Sequence, residues 1–244
     1  MLITGGSRGI GAATALMAAA RGYDVAIGYR SDFDAATAIV EACRAAGAAA
    51  LATRCDVAIE SEVVAFFDET TERLGVPKVF VNNAGILHQM SRLDGMDIER
   101  LREVVAVNVV GALVGAREAV RRMSTRHGGV GGAIVNVSSA ASYLGSPDEF
   151  IDYAATKGAM DTMTIGLAKE VAMEGIRVNG VRPGLIETEI HASSGMPDRV
   201  ERLAGDVPMR RGGSAGEVAE AILWLASDAA SYVTGTFVNC AGGR

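Results

Sequence analysis

Proline is scarce in this chain of 244 residues, with five in all; cysteine and histidine number three each, and tryptophan occurs once. Cys43, Cys55 and Cys240 are widely spaced, odd in number and without a C-x-x-C pair, which points to reduced, mostly buried thiols in a cytosolic protein. His88, His127 and His191 show no metal-ligand spacing. His191 has Glu187 and Glu189 nearby, but residues two apart in an irregular stretch read as solvent-facing, so no metal is expected. There is no Lys/Arg run, and the net charge of −6 excludes a general nucleic-acid or polyanion binder. No apolar run reaches the ~18 residues of a spanning helix, and nothing at the N-terminus resembles a signal peptide. A cytoplasmic location is expected, with no membrane partner. Internal repeats, low-complexity segments and domain-splitting linkers are all missing.

Glycine is what the chain has in abundance, 30 residues of it, as tight turns from strand to helix require. A stub at Met1 to Ile3 is followed by a glycine turn, a helix over Ala12 to Arg21 and a strand over Val25 to Tyr29. That is a parallel crossover unit in about thirty residues. Helices are predicted over 35–46, 60–74, 98–123, 153–173 and 217–226; strands over 50–55, 78–82, 133–138, 177–181 and 236–240. Continuous apolar strands alternating with helices predict a single α/β domain over 1–244, a doubly wound parallel sheet of about seven strands covered on both faces. Only about 189–216 breaks the rhythm, with mixed polarity and several Gly and Pro residues; a substrate lid is expected there.

Gly5, Gly9 and Gly11 sit where a strand hands over to a helix. Missing side chains there allow a sharp turn and close approach of a pyrophosphate to backbone N–H groups at the positive end of the helix. The spacing is G-x-x-x-G-x-G with no G-K-[ST], so a nucleoside-triphosphate loop is not expected. About 20 residues beyond the glycines an acid would select NAD(H) and a cation NADP(H). Tyr29, Arg30 and Ser31 stand there, the first acid is Asp32, and Arg8 lies inside the turn. Two guanidinium groups favour NADP(H), with NAD(H) as the alternative. Further along, Tyr153 and Lys157 are four apart in a helical pattern, so phenol and ammonium share one face.

Together these features resemble the short-chain dehydrogenase/reductase family over essentially the whole chain. The resemblance rests on Thr4-Gly-Gly-Ser-Arg-Gly-Ile-Gly11, Cys55-Asp-Val57, Asn82-Asn-Ala-Gly85, Asn108, Asn136-Val-Ser-Ser139, Tyr153-x-x-x-Lys157, and Arg182-Pro-Gly184 with Thr188. It implies a nicotinamide-dependent oxidoreductase moving hydride to or from a small carbonyl or secondary alcohol substrate, of the 3-oxoacyl thioester or the sugar/polyol branch. Tyr153 would be the general acid or base, Ser139 the partner of the substrate oxygen, and Asn108 the holder of a water relaying protons to Lys157. Lys157, beside a positive nicotinamide, would lower the phenol from its ordinary value near ~10 and hold the nicotinamide ribose. Cofactor contacts are implied at Gly5, Ser7, Arg8, Gly9, Ile10, Gly11, Arg30, Ser31, Asp56, Val57, Asn83, Ala84, Gly85, Tyr153, Lys157, Pro183, Gly184, Ile186 and Thr188. Asp56 would bond the adenine and Thr188 the carboxamide. A homodimer or homotetramer is also implied, pairing the helices over 98–123 and 153–173.

Some details depart from the family pattern. The first strand has almost no residues before Thr4. Ser139 lies fourteen residues before Tyr153, one more than is usual in the family, and Ser138 fifteen; the extra residue falls in Gly145 to Phe150, which is expected to border the substrate. Asp148, Glu149 and Asp152 are expected to cap the helix start, His88 could border the substrate, and Trp224 reads as core or subunit interface. A cofactor-binding sensor that lost its chemistry is the alternative to an enzyme, and the presence of Ser139, Tyr153 and Lys157 weighs against it.

Overall fold

Three apolar residues suffice for the first strand. In the computed structural model, which describes residues 1–190 and 194–244, Leu2–Thr4 (β1) is wholly buried and paired on both sides. Leu2 and Ile3 align with Ala26 and Ile27 of Val25–Tyr29 (β2) and with Phe80 and Val81 of Val79–Asn82 (β4). Ala50–Arg54 (β3), Gly132–Val137 (β5), Ile176–Pro183 (β6) and Phe237–Cys240 (β9) complete a seven-stranded sheet of order β3-β2-β1-β4-β5-β6-β9. Every pairing is parallel. The order reverses between β1 and β4, which opens a crevice at the carboxyl ends of the strands. A two-residue pair, Ile186–Glu187 (β7) with Gly213–Ser214 (β8), ties the start of the 189–216 segment to its end.

Helices cover both faces because the central strands β1, β2 and β4 are buried along their whole length. On one face Gly9–Ala20 (α1) packs through Ala15, Ala18 and Ala19, small enough to bring it close to Phe33–Ala45 (α2) and the late helix Ala215–Ala226. On the other, Glu60–Leu74 (α3) buries Phe66 and Phe67, and Phe67 meets Phe80 of β4 at 5.2 Å between ring centroids. Each of these fully buried rings contributes about 1.5–3 kcal/mol.

The helix expected over 98–123 is continuous but not uniform. Ile98–Val105 (α4) and Ala112–Met123 (α5) are joined by a π-helical stretch, Ala106–Gly111. Such widened turns are frequent at functional sites. Here the stretch buries Asn108, and a Cβ on Gly111 would lie 2.6 Å from the Val57 carbonyl, so only glycine fits. After β5 comes a single helical turn, Ala141–Leu144 (α6), then Ile151–Glu170 (α7), which starts two residues before the predicted helix and stops three short. Arg199–Leu203 (α8) lies within the segment expected as a lid, and Ala215–Ala226 is α9, opened by a capping box of Ser214 and Glu217.

Candidate active site

The turn after β1 is built for an anion. Gly5 and Gly9 take left-handed backbone angles, φ +65° and +55°, which disfavour any other residue. The first turn of α1 contains no acid, and no side chain caps it, so its leading N–H groups are available to a phosphate. Thr4 Oγ1 accepts from the N–H groups of Asn83 and Ala84 at 3.0 and 3.1 Å, and Asn83 Nδ2 donates to the carbonyls of Thr4 and Gly5. These bonds sew β4 to β1 at the point where the sheet order reverses.

A cavity of about 630 Å³ runs from this turn across the ends of β4, β5 and β6. Ser7, Arg8, Ile10, Arg30, Ser31, Asp56, Val57, Ala84 and Gly85 line its first half with Gly5, Gly9 and Asn83; Ser139, Tyr153, Lys157, Pro183, Gly184, Ile186 and Thr188 line the second. Gly11 and Asn108 do not line it. A Cβ on Gly11 would come within 2.3 Å of the Gly5 carbonyl, so this glycine serves the turn itself. Asn108 is fully buried behind the wall, where its side chain accepts from the Ile86 N–H at 2.8 Å and donates to the Ile86 carbonyl at 3.0 Å. His88 turns away from the cavity, its Nε2 lying 3.3 Å from Glu103. His191 lies outside the described residues.

At the adenosine end, the first acid after β2 is already engaged by its own fold, since Asp32 accepts from the N–H of Ala35 and caps α2. The exposed Arg8 side chain makes no hydrogen bond or ion pair among the described residues, and the only acid there that pairs with Arg30 is Glu103, at 3.8 Å. Asp56 accepts from Ala58 N–H through one carboxylate oxygen, Oδ1.

Ser138 and Ser139 both lie just past β5, and their side chains part. Ser139 Oγ accepts from Ala141 N–H at 3.1 Å and lies close enough to Tyr153 to act on its phenol. Ser138 is buried in the packing of α7, where its hydroxyl meets Asp161 at 2.6 Å and the Lys157 carbonyl at 3.2 Å. Asp161 in turn accepts from Arg182 at 3.0 Å, and that guanidinium lies 3.8 Å over the Phe237 ring. Lys157 is 3% exposed and donates to the Val137 carbonyl at 2.8 Å. Burial lowers its ammonium to about 8, opposed by nearby Asp161. Burial also raises the Tyr153 phenol to about 12, against a smaller lowering by neighbouring Ser139. Without a nicotinamide beside it, Tyr153 is therefore a proton donor.

Of the acids before Tyr153, Asp152 lies in the first turn of α7, where a carboxylate suits the helix start, but the N-cap itself is Phe150 without a side-chain bond. Each acid pairs with an arginine: Asp148 with Arg92, Glu149 with Arg199, and Asp152 with Arg100. The Asp152–Arg100 pair, Glu149–Arg199 and Ser138–Asp161–Arg182 were not read from the sequence. The acid at 161, four after Lys157, was the one visible sign, and its other partners sit 21 to 23 residues away.

Residues 5–244 match the family model described as Enoyl-(Acyl carrier protein) reductase. The oxidoreductase YgfF of Escherichia coli (strain K12) is 52% identical over 243 residues, covering 100% of this chain and 98% of the relative. The 3beta-hydroxysteroid dehydrogenase 1 of Eggerthella lenta is 40% identical over 245 residues, covering 100% and 92%. Among solved structures, a short-chain type dehydrogenase/reductase from Mycobacterium marinum superposes with a TM-score of 0.92 at 34% identity, covering 99% of this chain and 93% of that one. A short chain dehydrogenase from Burkholderia cenocepacia in complex with NADP gives 0.89 at 31% identity, covering 99% and 96%.

Proposed function

The chain belongs to the short-chain dehydrogenase/reductase family of oxidoreductases, and on that footing we propose that it is an NADP(H)-dependent enzyme acting on a carbonyl or secondary alcohol through Ser139, Tyr153 and Lys157. The convergence of Ser139, Tyr153 and, one helical turn on, Lys157 on one cavity carries the reading. When bound, the nicotinamide supplies or takes the hydride. In reduction Tyr153, held as a phenol, gives its proton to the substrate oxygen. Ser139 accepts from Ala141 N–H, which leaves its own proton to stabilise charge growing on that oxygen. Lys157, anchored on Val137, keeps N–H donors for the nicotinamide ribose. A Cβ on Gly85 would lie 3.4 Å from Asn108 Oδ1 and 3.5 Å from Lys157 Nζ. The space left there by glycine suits a water that returns protons to Lys157.

The uncommitted Arg8 and Arg30, together with the engagement of Asp32 in capping α2, support NADP(H) over NAD(H). The bare turn at Gly5, Ser7, Gly9 and Ile10 would hold the pyrophosphate, with Gly11 shaping it. Asp56 and Val57 would face the adenine, Ser31 and Ala84 the ribose, and Pro183, Gly184, Ile186 and Thr188 the nicotinamide. Thr188 and Glu189 lie within about 4 Å of where a Gly9 side chain would begin, which supports a lid over 189–216 starting beside the cofactor.

Exposed Ile98, Val105, Val110 and Leu113 along α4–α5, with Ile151 and Ile165 on α7, support a homodimer across these helices. Exposed Trp224 supports a second face and a homotetramer. Three unpaired thiols suit the reducing cytoplasm, and among the described residues no helix is long and apolar enough to cross a membrane.

The test is nicotinamide absorbance during turnover of a ketone panel with NADPH and NADH in parallel. NADPH should support turnover that Tyr153→Phe loses by about 10²-fold or more while still binding NADPH. Undiminished turnover in Tyr153→Phe would sink the mechanism.

A further inference from the structure

Beyond Ser139 and Tyr153, the substrate half of the cavity is walled by Ala141, Leu144, Pro147, Phe150, Leu185 and Ile190. One pair of charges borders it: Arg199 grips both oxygens of Glu149, with 14% and 31% of their side chains exposed, and lies 5.2 Å over the Phe150 ring. Arg244 sits at the exposed rim, its carbonyl taken by Tyr143. Glu149 is held firmly in place. The loop leading to it turns through left-handed angles at Ser146 and Asp148, φ 45° and 62°, which non-glycine residues adopt only when their surroundings demand it. Arg92 binds Asp148 at 3.1 Å, and Ser91 N–H donates to the Glu149 carbonyl at 3.0 Å.

From this geometry we infer the substrate class, an inference that rests on the function proposed above: a neutral, predominantly apolar ketone or its alcohol, with the Glu149–Arg199 pair barring carboxylates. Among the described residues, the uncharged side-chain hydroxyls of this half besides the reacting pair are Ser146, Thr188 beside the cofactor, and Ser138, which is committed to Asp161. The hydroxyls of a sugar or polyol would lose water there and gain few partners, at about tenfold or more in kcat/KM for each one stranded. A carboxylate at this wall is repelled by Glu149 and finds both Nη atoms of Arg199 already bonded to it. An apolar body loses nothing on either count, because the wall offers it only contact.

The experiment compares kcat/KM for three ketones of equal carbon number: an alicyclic or aliphatic monoketone, a polyhydroxylated ketose and a 3-oxo acid, each with wild type and Glu149→Gln. The monoketone should exceed the ketose by about 100-fold or more. Glu149→Gln removes the opposing charge and frees Arg199, so the ratio of oxo acid to monoketone should rise tenfold or more. Adding Arg199→Met should abolish that gain, which loosening of the lid alone would not explain. A ketose turned over as well as the monoketone, or an unchanged ratio in Glu149→Gln, overturns the inference and leaves the oxidoreductase reading standing. If no ketone or corresponding alcohol reacts with either nicotinamide, the functional reading itself fails.

Discussion

Arg100 grips the carboxylate of Asp152 through two hydrogen bonds, 2.7 and 3.1 Å long, directly before Tyr153 in the chain. The carboxylate side chain is 3% exposed. Burial alone would raise its pKa, yet Arg100 and the backbone N–H groups of Tyr153 and Asp152 hold it below the ordinary range. The pair fixes the first turn of α7 against α4, so the position of the phenol depends on it. Asp152→Ala leaves a buried guanidinium uncompensated and is expected to cost about 3–5 kcal/mol, read as a lower urea midpoint. A loss below about 1 kcal/mol would mean that the pair behaves like a surface one.

Burial of Lys157 sets a pH signature. Its ammonium titrates at about 8 in the folded protein against 10.5 in a free chain. Between these values the unfolded chain holds a proton that the folded one has lost, so this group makes stability rise with pH across that window. Tyr153, at about 12 against 10.0, acts oppositely once the pH passes 10, because the folded state retains the proton. Urea midpoints of wild type relative to Lys157→Met should therefore improve between about pH 8 and 10 and stop improving above. A flat difference across that range would contradict the burial of the ammonium.

Arg30→Ala should raise KM for NADPH about tenfold and leave that for NADH nearly unchanged. One charge-assisted bond to a phosphate is worth about 1.5–3 kcal/mol, and Arg30 has no strong competing partner, with Glu103 at 3.8 Å. Equal effects on the two cofactors would place Arg30 away from the 2′-phosphate.

Leu113 is exposed on the α4–α5 face and supports no core contact of its own fold. Leu113→Glu should leave circular dichroism unchanged and lower the sedimenting mass at micromolar concentration. A wild type that already sediments as a monomer would contradict the proposed dimer.

The order of strands and helices was legible because strands such as β2 and β4 are short apolar runs set off by turns, and such runs mark buried parallel strands without tertiary help. Thr4–Gly11 was legible for a similar reason, since a bare turn before a helix is a local feature. The buried face of α7 was not. Beside Ala154, Met160 and Ala168 the helix buries Lys157, Asp161 and Thr164. Those polar groups can be buried because distant partners satisfy them: Val137 takes Lys157, Ser138 and Arg182 take Asp161, and Asn136 donates to Thr164.

Tyr153 and Lys157 were therefore set on one face by the helical repeat alone, which needs only four residues of local geometry. Their chemical state was decided by the fold: removal from water raises one and lowers the other, and no spacing in a sequence reports desolvation. The same holds for the acids ahead of Tyr153. A row of carboxylates at a helix start reads locally as capping, but three arginines brought in from residues 92, 100 and 199 pair with them. A guanidinium at bonding distance outweighs the partial charge of a helix end, and only the tertiary structure brings it there.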